Sequence, residues 1–153
     1  MPNFSIVTDI AAPPRVCFDL ARDMGFHVTS LAHTGERIVD GVRVGLIDQG
    51  QTVTFEARHF GLRLRHTAQI TRLDPPAHFR DEMVRGWFRH FVHDHHFEPR
   101  PGGTRMRDVI DFGLPGGTAG QWLAGAWLER YLHRLLATRA RGLKDEAQRR
   151  CHG

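Results

Sequence analysis

Apolar and polar residues alternate with a period of two through most of the chain before Pro115. This alternation is typical of β-strands that bury one face, because successive side chains of a strand point to opposite sides. Pro, Gly and Asp separate the alternating stretches and predict turns between them. The predicted strands cover residues 3–10, 35–40, 51–59, 62–73, 78–84, 87–98 and 104–114.

Two parts of the chain show helical spacing instead. After Pro13 and Pro14, residues 15–23 predict a short helix that buries Val16, Phe18 and Leu20, and residues 25–32 predict a second one. From Thr118, a favoured type of N-cap residue, to about Arg149, apolar residues recur every three or four positions. We expect one long helix here, with its last turns either extending beyond the sheet or fraying. Its predicted inner face consists of Leu123, Trp127, Leu128, Tyr131, Leu132, Leu135 and Leu136.

The order of these elements predicts the fold class. A strand, two short helices, six further strands and a long helix, joined by short turns, favour an α+β protein with an antiparallel sheet. We expect a curved seven-stranded sheet wrapped around the C-terminal helix, with both short helices after the first strand. Residues 1–150 are predicted to form a single domain, which suits a chain of 153 residues.

Composition narrows the functional classes. Hydrophobic residues make up 41% and charged residues 25% of the chain, and no apolar run approaches the length of about 18 residues that spans a bilayer. We see no signal peptide, and Cys17 and Cys151 are the two cysteines, so a reduced, cytoplasmic location is expected. The net charge is +4, but Arg and Lys are mixed with acidic residues along the strands. We therefore expect neither a nucleic-acid partner nor an integral membrane segment.

The eleven histidines give the strongest chemical signal, because many lie in the middle of the chain. Apolar neighbours fix which face of each strand is inward, and that parity brings titratable side chains from five strands to the inner face. The residues concerned are His59, His66, Asp81, His93, His95 and Asp108. A short hairpin at residues 101–103 joins the last two strands, so Asp108 should lie opposite His93 and His95. His90 and His96 have outward parity and are expected to be solvated.

Buried polar groups without partners cost about 1–3 kcal/mol each, so this inner face needs an explanation. The side chains could pair as structural groups, face a wet ligand cavity, or coordinate a metal through His93, His95 and a third His. A carboxylate beside an imidazole orients its tautomer and raises its pKa, as in general acid–base sites. Neither an HExxH nor a CxxC motif is present. We therefore predict no metal and no cofactor.

At this point the sequence resembles the SRPBCC superfamily, the START-like or Bet v 1-like proteins with a helix-grip fold. It is most similar to bacterial members described as polyketide cyclase/dehydrase-like. The matching motifs are the DPP turn at 74–76, the F-x-D-E-x-V-x-G stretch at 79–86, H-x-H-x-F-E-P at 93–99, and G-T-R-M-x-D at 103–108, followed by Leu114 and Pro115. The order β-αα-β6-α fits the whole chain.

The resemblance implies a deep cavity between sheet and helix that takes a small hydrophobic or aromatic molecule, such as a lipid, polyketide or quinone. We expect its ligand-binding residues to be Phe55, His59, His66, Phe79, Asp81, Phe91, Phe97, Met106, Phe112, Trp127 and Tyr131. The alternative is a cofactor-free aromatic cyclase or dehydratase with His93, His95 and Asp108 as its acid–base residues. A weaker alternative is an interaction protein that uses the basic tail after Leu143. A homodimer stays open.

Overall fold

The computed structural model describes residues 3–152 of the chain. Seven antiparallel strands form one sheet in the order β1-β7-β6-β5-β4-β3-β2, and a long helix follows the last strand. This confirms the predicted fold class. The elements are β1 Asn3–Ile10, α1 Pro14–Ala21, α2 Met24–Ser30, β2 Arg37–Gly41, β3 Thr52–His59, β4 Leu62–Asp74, β5 His78–Arg85, β6 His90–Arg100, β7 Gly103–Gly113 and α3 Gly117–His152.

The hairpin of β6 and β7 is the longest pairing in the sheet and also holds β1. Its register runs from His90 opposite Gly113 to Arg100 opposite Gly103. A Cβ on residue 103 would lie 2.0 Å from the carbonyl oxygen of Ile10, so only glycine lets β1 approach the start of β7 this closely. The first strand of the chain is thereby fixed beside the last.

The two short helices cover one end of the sheet. Pro14 starts α1, where a missing backbone N–H is not needed. Phe18 is fully buried, and its ring meets those of Phe79 and Phe97 edge-on at 5.6 and 5.5 Å between centroids. The α2 helix is capped by the Asp23 carboxylate, which accepts a hydrogen bond from the Phe26 backbone N–H at 3.1 Å.

The α3 helix packs on the molecule mainly through its second half. Leu143 and Ala147 are buried in the core, and the Gln148 side chain accepts a hydrogen bond from the Ala11 N–H at 2.9 Å. The first turns carry exposed side chains instead, including Trp122, Leu123 and Trp127. The predicted overhang of the last turns is therefore wrong.

Two further predictions for this helix need correction. Its first residue is Gly117, ahead of the predicted cap Thr118, and Leu123 and Trp127 do not belong to its inner face. Apolar spacing identifies one face of a helix, but it does not show which part of that face packs against the rest of the protein. Here α1 covers the last turns of α3. Within residues 3–152, no helix combines the length and the apolar character needed to cross a membrane.

Candidate functional site

A cavity of about 190 Å³ lies between the sheet, the short helices and α3. Most of its wall is apolar and comes from β3, β4, β5, β6 and α3. The apolar lining includes Phe55, Leu64, Ile70, Phe79, Phe91, Leu128, Leu132 and Leu136. The titratable lining consists of His27, Glu36, His59, Arg65, His66, Asp81, His93, His95, Tyr131 and Arg139.

The central strands bring the polar groups of the inner wall together. Residues directly opposite in antiparallel strands project from the same face of the sheet. His93 lies opposite Asp81 of β5, and His95 lies opposite Asp108 of β7. The predicted inward parity of both histidines and both aspartates is therefore confirmed by the register.

These four residues form a hydrogen-bonded network, which we call the His–Asp network. Nε2 of His93 lies 2.8 Å from Oδ1 of Asp108, and Nδ1 of His95 lies 3.2 Å from the same oxygen. Nε2 of His95 lies 2.8 Å from Oδ2 of Asp81. The two imidazole rings stack with centroids 3.7 Å apart, and the ring of Phe79 covers the other side of His95 at 4.0 Å.

The two stacked histidines have opposite electrostatic environments. Burial lowers the pKa of His95, but its hydrogen bonds to Asp108 and Asp81 outweigh burial and raise that pKa above its ordinary value. Burial and the adjacent charge of His95 lower the pKa of His93, even though it bonds to Asp108. These shifts favour the cationic form of His95 and the neutral form of His93.

The two carboxylates are held in their charged form by the same contacts. Burial raises the pKa of Asp108, but hydrogen bonds from His93 and His95 outweigh it and hold the pKa well below its usual range. Asp81 behaves alike, because His95 bonds to it, and its side chain keeps 20% exposure towards the cavity. Asp108 is 5% exposed and lies behind the histidines.

Four polar residues of the cavity wall, His27, Glu36, Arg65 and Arg139, were not predicted from the sequence. Nε2 of His27 lies 3.1 Å from Oε1 of Glu36, and the His27 ring stacks on Phe55 at 4.3 Å. Burial lowers the pKa of His27. Arg139 is 7% exposed, and its Nη2 donates to the Ala21 carbonyl at 3.0 Å. A signal for Arg139 was available, since it continues the apolar spacing of Leu132, Leu136 and Leu143 along α3.

The outer end of the cavity is closed by a contact between β3 and α3. Nδ1 of His59 lies 2.5 Å from the Tyr131 hydroxyl oxygen. The ring of Phe60 packs on Tyr131 at 4.5 Å and on Trp127 at 4.9 Å. Burial lowers the pKa of His59 and raises that of Tyr131, which favours the neutral form of both partners.

The structure places most of the residues expected at the ligand site on the cavity wall. Phe55, His59, His66, Phe79, Asp81, Phe91, His93, His95 and Tyr131 all line it. The remaining five lie elsewhere. Met106 and Asp108 border a small adjoining void, Phe97 and Phe112 are buried in the core, and Trp127 is 57% exposed outside the cavity. Parity identifies an inward side chain, but it does not distinguish an open cavity from a packed core.

The outward histidines are less solvated than expected. His90 lies against Gly113 and approaches the Asp111 carboxylate at 3.2 Å. His96 stacks on His78 at 4.7 Å. Long arginine and histidine side chains on neighbouring strands cover this face and reduce its contact with water.

Two groups of three side chains among the described residues have spacing that could hold a metal ion. They are His78, Asp94 and His96 on the outer face, and Asp81, His93 and His95 at the cavity. In the outer group, Arg80 already binds both oxygens of Asp94 at 2.9 Å and would compete with a cation. In the inner group, hydrogen bonds to Asp81 and Asp108 already satisfy the histidine nitrogens they reach. We assign no metal to either group, and the expectation of none stays a prediction.

This architecture, an antiparallel sheet curved around a long C-terminal helix with a cavity between them, is that of the helix-grip proteins. The family model described as "Polyketide cyclase / dehydrase and lipid transport" matches residues 1–148. The chain therefore belongs to this family of the SRPBCC superfamily, as its motifs predicted. A search of curated protein sequences gives no significant match.

Solved structures support the same fold at low sequence identity. The protein TTHA0849 from Thermus thermophilus superposes with a TM-score of 0.78 at 17% identity, over 99% of this chain and 100% of that one. The Zhui aromatase/cyclase from Streptomyces sp. R1128 also has a TM-score of 0.78 and 17% identity, over 99% and 96% of the two chains. A major latex-like protein from Panax ginseng gives 0.69 at 15% identity, over 95% and 97%.

Proposed function

We propose that the protein binds a compact hydrophobic or aromatic molecule in the cavity between sheet and α3, with the polar end of the ligand at the His–Asp network. The observation that supports this proposal is that the cavity wall is apolar along most of its length and polar at its inner end. Phe55, Ile70, Phe91 and other apolar side chains surround the cavity, while polar groups converge at its inner end. Such a combination is typical of small-molecule sites, in which a few polar groups fix the ligand's orientation.

The size of the cavity narrows the ligand class. At about 190 Å³ it lies below the range of about 300–1,000 Å³ that is usual for drug-sized ligands. We therefore expect a molecule with few rings or a short chain. The aromatase/cyclase among the structural neighbours supports an aromatic or polyketide-like ligand.

The direct test is a titration with naphthol, followed by its fluorescence. Ala68 is 4% exposed and lines the cavity, so Ala68→Phe would fill the space with a ring. We expect saturable binding to the wild-type protein and at least a tenfold loss of affinity in Ala68→Phe. The matched control is Val92→Phe, which adds a ring at an outward position of β6 and should bind normally. Equal affinities for all three proteins would contradict the proposal.

A second candidate function is a cofactor-free cyclase or dehydratase reaction in the same cavity. It is favoured by one observation: the imidazoles of His93 and His95 stack 3.7 Å apart on the cavity wall, and their pKa shifts run in opposite directions. His93 would remove a proton next to a substrate carbonyl. Both ring nitrogens of His95 already bond Asp108 and Asp81, so His95 would stabilise the developing enolate through its positive charge. Asp108 would act as a positioning residue, because it holds both rings from behind.

The catalytic candidate predicts turnover of a poly-β-ketone analogue with a bell-shaped pH–rate profile. His93→Gln should abolish the basic step and lower kcat at least a hundredfold, with naphthol affinity within a fewfold of wild type. Asp108→Asn should lower kcat and move the pH profile without a comparable change in KM. Unchanged turnover in both variants would exclude this mechanism and leave the binding function in place.

A further inference from the structure

All three tryptophans of the protein are exposed. Trp87, Trp122 and Trp127 show 52%, 87% and 57% of their surface to solvent. Tryptophan is usually well buried, since no other side chain removes as much apolar surface from water. They belong to a set of exposed apolar side chains that we call the apolar rim, which consists of Phe60, Leu62, Trp87, Trp122, Leu123 and Trp127.

The apolar rim adjoins the outer end of the ligand cavity. Trp127 packs on Phe60, and Leu123 precedes Trp127 by one helical turn on the same side of α3. Phe60 and Trp87 also line the cavity itself. Trp122 and Arg89 line the same groove between the β5–β6 loop and the start of α3. The rim thus joins three segments of the chain, residues 58–65, 84–91 and 118–131.

The same three segments are strongly basic. They contain six arginines and one acidic residue, Glu129, whereas the whole chain has a net charge of only +4. Arg63 and Arg65 share the single Glu56 carboxylate with Arg37, at 3.7, 2.8 and 2.7 Å. The other four arginines have no carboxylate within 4.0 Å among residues 3–152. They are Arg58, Arg85, Arg89 and Arg130.

We propose that the apolar rim docks on the surface of a membrane that contains anionic lipid. Tryptophan prefers the boundary between headgroups and acyl chains, where its ring is buried and its N–H stays hydrated. Unpaired arginines around it would bind lipid phosphates. Apolar insertion combined with a basic surround is the pattern of proteins that lie on a membrane without crossing it.

Charge argues against a second copy of the chain as the occupant of this surface. A two-fold interface places the same patch of both subunits face to face. The four unpaired arginines would then meet their own equivalents, and like charges without compensation oppose such contact. The anionic lipids of a bilayer would instead neutralise the positive charges of these four arginines.

Docking in this orientation would place the cavity entrance against the bilayer, so that an apolar ligand passes between lipid and protein without entering water. The inference extends the proposed ligand-binding function but does not depend on it, because vesicle binding is measured without a cavity ligand. Trp122 and Leu123 do not line the cavity, so their substitution should leave naphthol affinity unchanged.

The experiment is sedimentation of the full-length protein with vesicles of phosphatidylcholine alone, and with vesicles that contain phosphatidylglycerol as well. We expect binding to the anionic vesicles, a blue shift of tryptophan fluorescence, and loss of binding at high salt. The double variant Trp122→Ser/Leu123→Ser should bind at least tenfold more weakly. The matched control, Val44→Ser, changes an apolar residue that is 79% exposed outside the rim and should bind like the wild type.

Charge is tested separately with Arg89→Gln/Arg130→Gln, which should weaken binding to anionic vesicles and reduce its salt dependence. Failure to bind either kind of vesicle would overturn the proposal. So would equal losses in the Trp122/Leu123 variant and in Val44→Ser. A dimer in sedimentation velocity that Trp122→Ser/Leu123→Ser dissociates, without vesicle binding, would overturn it in favour of a second copy.

Discussion

The inner and outer ends of the cavity are built in opposite ways. At the inner end, His95 and Asp108 are buried at 2% and 5% exposure, and each forms hydrogen bonds to groups of complementary charge. At the outer end, Trp122 is 87% exposed and four arginines lack an acidic partner within the described residues. If one partner at the inner end is removed, the other is left as an unpaired charge in the protein interior. At the outer end, these apolar and charged side chains are exposed to solvent and have no such partner to lose among residues 3–152. Loss of a partner should therefore cost more stability at the inner end than at the outer end.

The largest loss of stability is expected for Asp108→Ala, which tests the contrast between the two ends directly. It would leave His93 and His95 without their shared acceptor in a buried site, and such losses cost about 3–5 kcal/mol. Urea denaturation should show this decrease in the free energy of unfolding. Asp111→Ala is the matched control, because Asp111 lies on the same strand but pairs with His90 at the surface. Its cost should stay within about 1 kcal/mol. Similar costs for both variants would contradict the contrast.

The pH dependence of the inner end gives the next largest effect. The pKa of His95 is raised on folding, so its contribution is fully present below its unfolded value of about 6.5 and is lost as pH rises through the folded value. Asp108→Asn should lower the pKa of His95, measured by NMR of the imidazole nitrogens. The stability difference between wild type and Asp108→Asn should shrink with rising pH. A difference that grows above neutral pH would show that His95 is not the charged partner.

The histidines whose pKa is lowered by burial reduce the stability of the fold as the pH falls, the opposite of the contribution of His95. Burial lowers the pKa of His93, His27 and His66, so the unfolded chain binds protons more readily below about pH 6.5. Asp81 and Asp108 add a further loss of stability as pH falls below about 4, because their folded pKa values lie under the unfolded ones. We expect stability to decrease in two stages on acidification, measured by thermal unfolding from pH 7 to pH 3. A flat profile between pH 7 and pH 5 would exclude the first stage.

The contact that closes the outer end of the cavity is expected to contribute less stability than the His–Asp network. Tyr131→Phe removes the hydroxyl that meets His59 and should cost about 0.5–1.5 kcal/mol, the net value of one hydrogen bond. Naphthol should also enter and leave the cavity faster in stopped-flow fluorescence, since one closing contact is lost. A double-mutant cycle with His59→Leu supplies the control. Additive costs in that cycle would show that the two side chains are not coupled.

The smallest effect on stability is predicted at the outer end. Trp122→Ser should change the free energy of unfolding by no more than about 0.5 kcal/mol, because the side chain has few contacts to lose. The same urea titration measures it. A loss comparable to that of Asp108→Ala would show that Trp122 is packed rather than presented to a partner.

The strand pattern predicted the fold and the network better than it predicted the cavity. Period-two alternation fixed the inward side of each strand, and so brought His93, His95, Asp81 and Asp108 together correctly. The same parity could not separate Phe97, which is packed under α1, from Phe91, which lines the cavity. That difference depends on where the helices rest.

Helical residues were harder to place than those in strands. Arg139 and His27 reach the cavity from α3 and α2, and their positions depend on how each helix is rotated against the sheet. Trp127 shares the spacing of the buried residues of α3 but lies on the part of the helix that the sheet does not cover. The spacing of apolar residues within a helix cannot show how far the neighbouring sheet extends along that helix.

The pairing of β1 with β7 has a consequence for the order in which the protein can fold. Asp9 and Arg105 meet across these strands although they lie 96 positions apart in the chain. Such distant contacts are slow to form, because a long loop must close before they contribute any stability. During synthesis β1 therefore cannot pair with β7 until most of the chain has left the ribosome. In that interval it is an unpaired edge, open to aggregation or to protection by a chaperone.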